Sequence, residues 1–319
     1  MSCAIFAYEN NPCEVFMKSG FKQWGSALLL VLTAVIWGVA FVAQSVGGDS
    51  VGPFTFLASR SFIAGVALLP VIAWRNRRTA PAAKVASSRD LWVGGILCGT
   101  ALMIASAFQQ IGIGDPNTTV GKAGFITALY IVIVPLAGIF MKKKIPLTVW
   151  IGVALATFGM YLLCITESLT ISYGDVLILI CAVCFSVQIL LVDYFSPKVD
   201  GVKLACLEFF TCGTLSLVMM LITETPTWES VLEAWMPILY AGLFSSAIGY
   251  TLQIVAQKNT PPTLASLLMS LESVFSVLAG WAILGQVMSG RELIGCVLVF
   301  AAVLLAQIPV SAFAKRSKK

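Results

Sequence analysis

The chain has 319 residues, 59% of them hydrophobic and 11% charged, with 20 Lys and Arg against 15 Asp and Glu. Soluble domains are about half apolar and about a quarter charged, so this chain has too few charges to coat a water-facing surface; its mean hydropathy of +0.94 agrees. Soluble enzymes, disordered chains and fibrous chains are excluded, and the absence of histidine removes Ser/His or Cys/His nucleophile pairs, HExxH zinc sites and His-ligated haem.

About 20 apolar residues are needed to cross the hydrocarbon of a lipid bilayer. In chain order, ten such stretches are predicted as transmembrane helices, at 24–45, 52–74, 91–111, 118–141, 147–165, 174–194, 203–222, 236–257, 263–284 and 292–310. Short separators hold most of the turn residues, among them Gly114-Asp115-Pro116-Asn117 and Asn259-Thr260-Pro261-Pro262. Residues 1–23 differ in composition from the rest. Met17-Lys18 offers a second start, which would make 1–16 an upstream extension, and the sequence leaves this open. The first apolar run is too long for a signal-peptide core and is predicted to be an uncleaved span.

With the amino terminus in the cytoplasm, all but three of the 20 Lys and Arg fall in inside segments. They cluster at Lys18 and Lys22, at Arg75, Arg77 and Arg78, at Lys142, Lys143 and Lys144, and in the basic tail 311–319. Arg60 and Lys122 lie within spans, and Arg291 at an outer edge. This asymmetry predicts a multi-pass protein of the cell (inner) membrane with both termini cytoplasmic. It assigns the net charge of +5 to anionic headgroups of the lipid bilayer. No nucleic-acid partner is expected.

The second half echoes the first. An offset of 148 pairs Trp37 with Phe185, Arg60 with Glu208, Phe62 with Phe210 and Gly65 with Gly213. Later offsets pair Gly99 with Gly242, Gln110-Ile111 with Gln253-Ile254, and Leu136-Ala137-Gly138 with Leu278-Ala279-Gly280. The matches keep their order along five consecutive spans. Because five is odd, two such copies (24–165 and 174–310) cross the membrane in opposite senses, the inverted-repeat plan of secondary transporters.

Ala34-Val-Ile-Trp-Gly-Val-Ala-Phe41, Arg60-Ser61-Phe62, Lys122-Ala-Gly-Phe-Ile-Thr127 and the stretch from Leu271-Glu272-Ser273-Val274 to Gly285 resemble the drug/metabolite transporter superfamily, in particular its EamA-type members. The resemblance spans about residues 20–310. Two departures stand out: Gln286 replaces a Glu often found after Leu-Gly, and Ser273 and Val274 stand where Pro often follows Glu272. The resemblance implies a ten-helix carrier whose spans 1–4 and 6–9 enclose the path while 5 and 10 lie outside. It also implies export of amino acids or related compounds, with protons as a candidate coupling ion.

Ionisable groups deep in a span cost about 2.5–3.5 kcal/mol each and persist mainly for function. At 1.5 Å per residue, Arg60 lies about 10 Å below the outer surface and Lys122 about 6 Å; Glu208 lies about 8 Å above the cytoplasmic face and Glu272 about 13 Å. Glu272 is the first candidate for binding a cationic group or taking a proton, against a packing carboxyl served by Ser270, Ser273 or Ser276. Arg60 could hold a substrate carboxylate or bridge to carbonyls, and Lys122 could do the same or snorkel to the interface. Arg60 and Glu208 are too far apart along the membrane normal for a direct bridge. Lys122 falls near Glu272 in the repeat frame. Gln110 and Gln253, which are repeat-equivalent, join Gln44, Gln109, Gln188, Tyr130 and Tyr250 as groups that line a cavity or bond between helices. Trp37 and Trp281 lie deeper than belt residues, as cavity walls or as packing.

Three motifs are set aside. Gly112-Ile113-Gly114-Asp115 spells the GxGD of intramembrane aspartyl proteases but sits at a turn with no second carboxylate beside it. Cys181-x-x-Cys184 lies in an apolar span, and Asn117-Thr118-Thr119 reads as a helix start. Gly95-x-x-x-Gly99 and Gly152-x-x-x-Ala156 are small-residue faces, for packing within the chain or for a homodimer. No cofactor and no metal is expected. The sequence predicts a secondary transporter exporting a small-molecule substrate by alternating access; a non-transporting membrane assembly protein and an intramembrane enzyme are the alternatives.

Overall fold

In a computed structural model, residues 12–78, 88–118, 120–140, 142, 145–164, 171–285 and 289–307 are described. Among them the chain is helical with no strand: α1 (Pro12–Gly48), α2 (Pro53–Arg78), α3 (Ser88–Ile113), α4 (Val120–Phe140), α5 (Leu147–Cys164), α6 (Tyr173–Phe195), α7 (Gly201–Thr223), α8 (Trp235–Gln257), α9 (Pro262–Ile283) and α10 (Gly290–Gln307). A short helix, Trp228–Glu233, precedes α8. Eight of these helices, all but α5 and α10, are long and apolar enough to cross a membrane. The protein is a polytopic membrane protein. Gln286 and residues 1–11 lie outside the described residues.

The helix ends follow from local chemistry. Ser172 and Asp175 form a reciprocal capping box at the start of α6. Asp200 accepts the Val202 and Lys203 N–H groups at the start of α7. The α2 terminus is capped from elsewhere: the Glu224 carboxylate, just beyond α7, accepts the N–H groups of Phe54 and Thr55, both at 2.8 Å. An anion at a helix N-terminus also meets the positive end of the helix dipole. At the other end of the same helix pair, Arg75 bonds Asp200 at 3.1 Å.

Packing crosses between the two halves. The α2 helix lies along α7, α3 packs on α6 and α7, and α8 packs on α1 and α2, while α5 and α10 pair with each other. Some close contacts come in matched pairs. A Cβ on Gly99 would stand 2.5 Å from Glu208 O and 2.6 Å from Thr211 Cβ. A Cβ on Gly242 would stand 3.1 Å from Arg60 O and 2.7 Å from Ile63 Cγ2. Gly242 lies 143 positions after Gly99, and Glu208 and Thr211 lie 148 positions after Arg60 and Ile63. Likewise Gly65 meets the Phe210 ring and Gly213 the Phe62 ring, with the two rings 6.5 Å apart. The small-residue faces are therefore used within the chain. Gly95 and Gly99 receive α7, and Gly152 receives Ala302 and Ala306 of α10.

Two helices are broken. In α4 the regular turn stops after Thr127 and resumes at Tyr130; in α9 it stops after Met269 and resumes at Glu272. Both joints tighten to i→i−3 bonds. Leu129 N–H bonds Ile126 O at 3.2 Å and Leu271 N–H bonds Leu268 O at 3.4 Å. Ile131 N–H bonds Ala128 O at 3.0 Å and Ser273 N–H bonds Ser270 O at 3.1 Å. These two bonds in α4 reappear in α9 at an offset of 142, the same offset that pairs Leu136 with Leu278. In α8 the middle ten residues, Ala241–Tyr250, form a π-helix, a widened turn frequent at functional sites.

Candidate functional site

The breaks and the π-stretch converge on an interior cavity. About 430 Å³ of space, its opening included, is bounded by α1, α2, α3, α4, α6, α8 and α9. Neither α5 nor α10 contributes a lining residue. Nine residues singled out in the sequence meet there: Trp37, Gln44, Arg60, Gln109, Tyr130, Gln188, Tyr250, Gln253 and Glu272.

Glu272 is 3% exposed, and its Oε1 accepts a hydrogen bond from the Tyr130 hydroxyl at 2.9 Å. The serines expected to serve it do not. Ser270, Ser273 and Ser276 each donate to a backbone carbonyl three residues earlier on α9. Their hydroxyls satisfy the broken helix, and the carboxylate is left to its partner on α4.

Arg60, 4% exposed, enters from α2 with its Nε unpartnered among protein groups. Gln44 Oε1 and Gln253 Oε1 are also buried without a partner. An unpaired buried polar group costs about 1–3 kcal/mol, so these three, all in the cavity wall, are open to a ligand or water. Gln253 donates to Gln188 at 3.2 Å, and Gln188 donates to Glu208 at 2.9 Å. Through this chain Glu208, fully buried on α7 behind the cavity wall, is tied to the lining. Arg60 forms no ion pair among the described residues. The Trp37 ring packs on Tyr250 with centroids 4.6 Å apart, and its indole N–H donates to Ser245 O in the π-stretch at 3.1 Å. The cavity therefore offers a cationic donor, a carboxylate, uncommitted amide oxygens and an aromatic wall.

Three predicted positions lie elsewhere. Lys122 pairs with Asp175 at the start of α6, away from the cavity. The offset of 142 aligns Glu272 with Tyr130, not Lys122, which removes the reason for placing Lys122 beside it. Gln110 turns from the cavity and donates to Gln44 O at 2.9 Å. Its neighbour Gln109, about 100° around the helix, is the one that lines the cavity and donates to Thr127. Trp281, 54% exposed, is on the outside of the molecule. The sequence reading missed Thr127 and Ser245. Neither has a signal of its own beyond its position beside an irregular turn.

Lys122 and Asp175 belong to a polar cluster between the α3–α4 turn and α6. Thr118 donates to Asp175 at 3.2 Å, and Asp115 Oδ2 accepts the Gly174 N–H at 2.7 Å. Asp115 Oδ1 accepts the Asn117 N–H at 2.9 Å, and these backbone donors, Asn117 first and Gly174 second, hold its carboxyl below the ordinary Asp value. This is the turn expected at the GxGD sequence.

A family model described as the EamA-like transporter family matches residues 24–165 and again 172–307. An Archaeoglobus fulgidus protein named as an uncharacterized transporter is 29% identical over 315 residues, covering 94% of each chain. A Streptantibioticus cattleyicolor protein named "Probable terminal-alkyne amino-acid exporter" is 28% identical over 299 residues, covering 91% of this chain and 94% of its own. A crystal structure with 19% identity shares the fold, at a TM-score of 0.72 over 92% of this chain and 99% of its own. Apolar spans around a polar cavity and a family match along both halves lead to one conclusion: the chain belongs to the EamA-like transporter family and is a multi-pass membrane transporter.

Proposed function

We propose that the protein is a secondary carrier that exports a small polar or amphipathic metabolite, of amino-acid-like chemistry, across the cell membrane by alternating access. The observation that carries this reading is the cavity itself, lined from both halves by Arg60 and Glu272 together with unpartnered amide oxygens. Arg60 suits a substrate carboxylate and Glu272 a cationic group or a coupling proton. Trp37 and Tyr250 suit an apolar or flat portion. The two inverted halves, 24–165 and 174–310, would rock about this site, with ten helices in all and both termini cytoplasmic. The family model's twofold match and the paired contacts at Gly99 and Gly242 support the repeat. The relative named as an amino-acid exporter supports the substrate class.

The test is flux of labelled amino acids and amphipathic amines through purified protein in liposomes. At least one solute is expected to move, and Glu272→Gln should cut that flux by about tenfold or more with membrane abundance unchanged. Folded protein that moves nothing across the panel counts against a carrier; full activity in Glu272→Gln removes that carboxylate from the site.

A further inference from the structure

Tyr130 and Glu272 are repeat mates, and they touch each other. When two copies are related by a two-fold axis, a residue meets its own mate only where the axis passes between them. Both residues are also the first helical positions after matching breaks in α4 and α9. The hydrogen bond therefore joins two facing joints at the centre of the molecule. If two inverted halves exchange conformations to turn the carrier from one side to the other, the separation of a residue from its own mate is the same in both end states. Lys122–Asp175 is different. Its repeat-equivalent positions are Leu264 and Ala27, which cannot form an ion pair.

We propose that Tyr130 is the positioning residue for Glu272, pinning the carboxylate to the axis by a bond kept whichever side the cavity faces. The inference rests on the alternating-access reading above. It explains how one carboxylate at the joint of α9 serves both faces without moving with either half. An interaction equal in both states cannot bias the equilibrium between them, whereas one present in a single state must.

Two measurements on the full-length protein test this without a transported solute. The first is modification by dicyclohexylcarbodiimide, an apolar reagent for buried carboxyls, read by mass on the Glu272 and Glu208 peptides. Tyr130→Phe keeps the ring and removes only the donor; it should raise modification of Glu272 by about fivefold and change Glu208 by less than about twofold. Equal changes at both carboxylates indicate general loosening and overturn the proposal, as does no change at Glu272. The second is alkylation of a Ser245→Cys reporter in the cavity wall by a membrane-impermeant maleimide applied from either side. The ratio of the two rates should stay within about twofold in Tyr130→Phe and shift by about fivefold or more in Lys122→Gln. A Tyr130→Phe ratio that shifts as far as that of Lys122→Gln makes the bond a one-sided latch and overturns the pin. A reporter reached from one side only in the parent protein instead defeats alternating access, and the carbodiimide result then decides whether Tyr130 positions Glu272.

Discussion

Gly99 and Gly242 are residues at which a single added methyl group should be felt. In each case the added carbon meets another helix: Glu208 O and Thr211 for Gly99, Ile63 and Arg60 O for Gly242. The first contact is with backbone, which cannot swing aside, so Gly99→Ala is expected to cost about 1–3 kcal/mol, as overpacking of a close interface does. Gly242→Ala should follow the same direction. Thermal unfolding of the purified variants measures this, with Gly25→Ala, which has nothing within 4 Å, as the neutral comparison. At this scale the sequence was informative where burial is costly. Arg60 and Glu272 stand out because charge is rare inside a span, and both line the cavity. It was less informative for neutral amides, since Gln109 and Gln110 differ only in which face of α3 they occupy. Lys122 was misplaced for a different reason: depth says how far a cation lies from the surface and nothing about its partner, which proved to be Asp175 on another helix.

Individual helices were legible from their apolar runs and caps, and the described residues of each predicted stretch fall mainly on helix. Their interruptions were not. The joints at Ala128-Leu129 and Ser270-Leu271 contain neither Pro nor Gly, and the π-stretch of α8 reads as ordinary apolar helix. Such irregularities come from packing against neighbours, which a local pattern does not record. The α3–α4 turn was legible, and it makes a testable link to α6. The Asp115 carboxyl is held below its ordinary value by the Asn117 and Gly174 N–H groups. The stabilisation it adds is therefore present above the ordinary Asp range and is lost as pH falls through the lowered value. Hydrogen exchange at the Gly174 amide, corrected for its intrinsic rate, should be slow near neutrality and accelerate in acid. Asp115→Asn should be faster at neutrality and lack the acid step; an acid step of undiminished size in that variant would assign the titration to another group.

On the scale of the whole molecule, the family was legible from short motifs. Ala34–Phe41 and Lys122–Thr127 lie within the segment 24–165 that the family model matches, and Leu271–Gly285 lies within 172–307. The reason is that several of these residues sit where the halves meet. Trp37 and Thr127 line the cavity, and a Cβ on Gly38 or Gly124 would press on α9. The architecture accounts for the burial of α2, α3, α7 and α8 against one another, and for the α5–α10 pair, whose described residues stay outside the cavity lining. Its central claim is that the halves lie in opposite senses, so that a cavity shared by both can open to either side. Single cysteines placed at the carboxyl-terminal tail and between α5 and α6, labelled in intact cells and in inverted vesicles, test it most directly. The account predicts a cytoplasmic tail and an external α5–α6 connection; both positions reacting from the same side would contradict it.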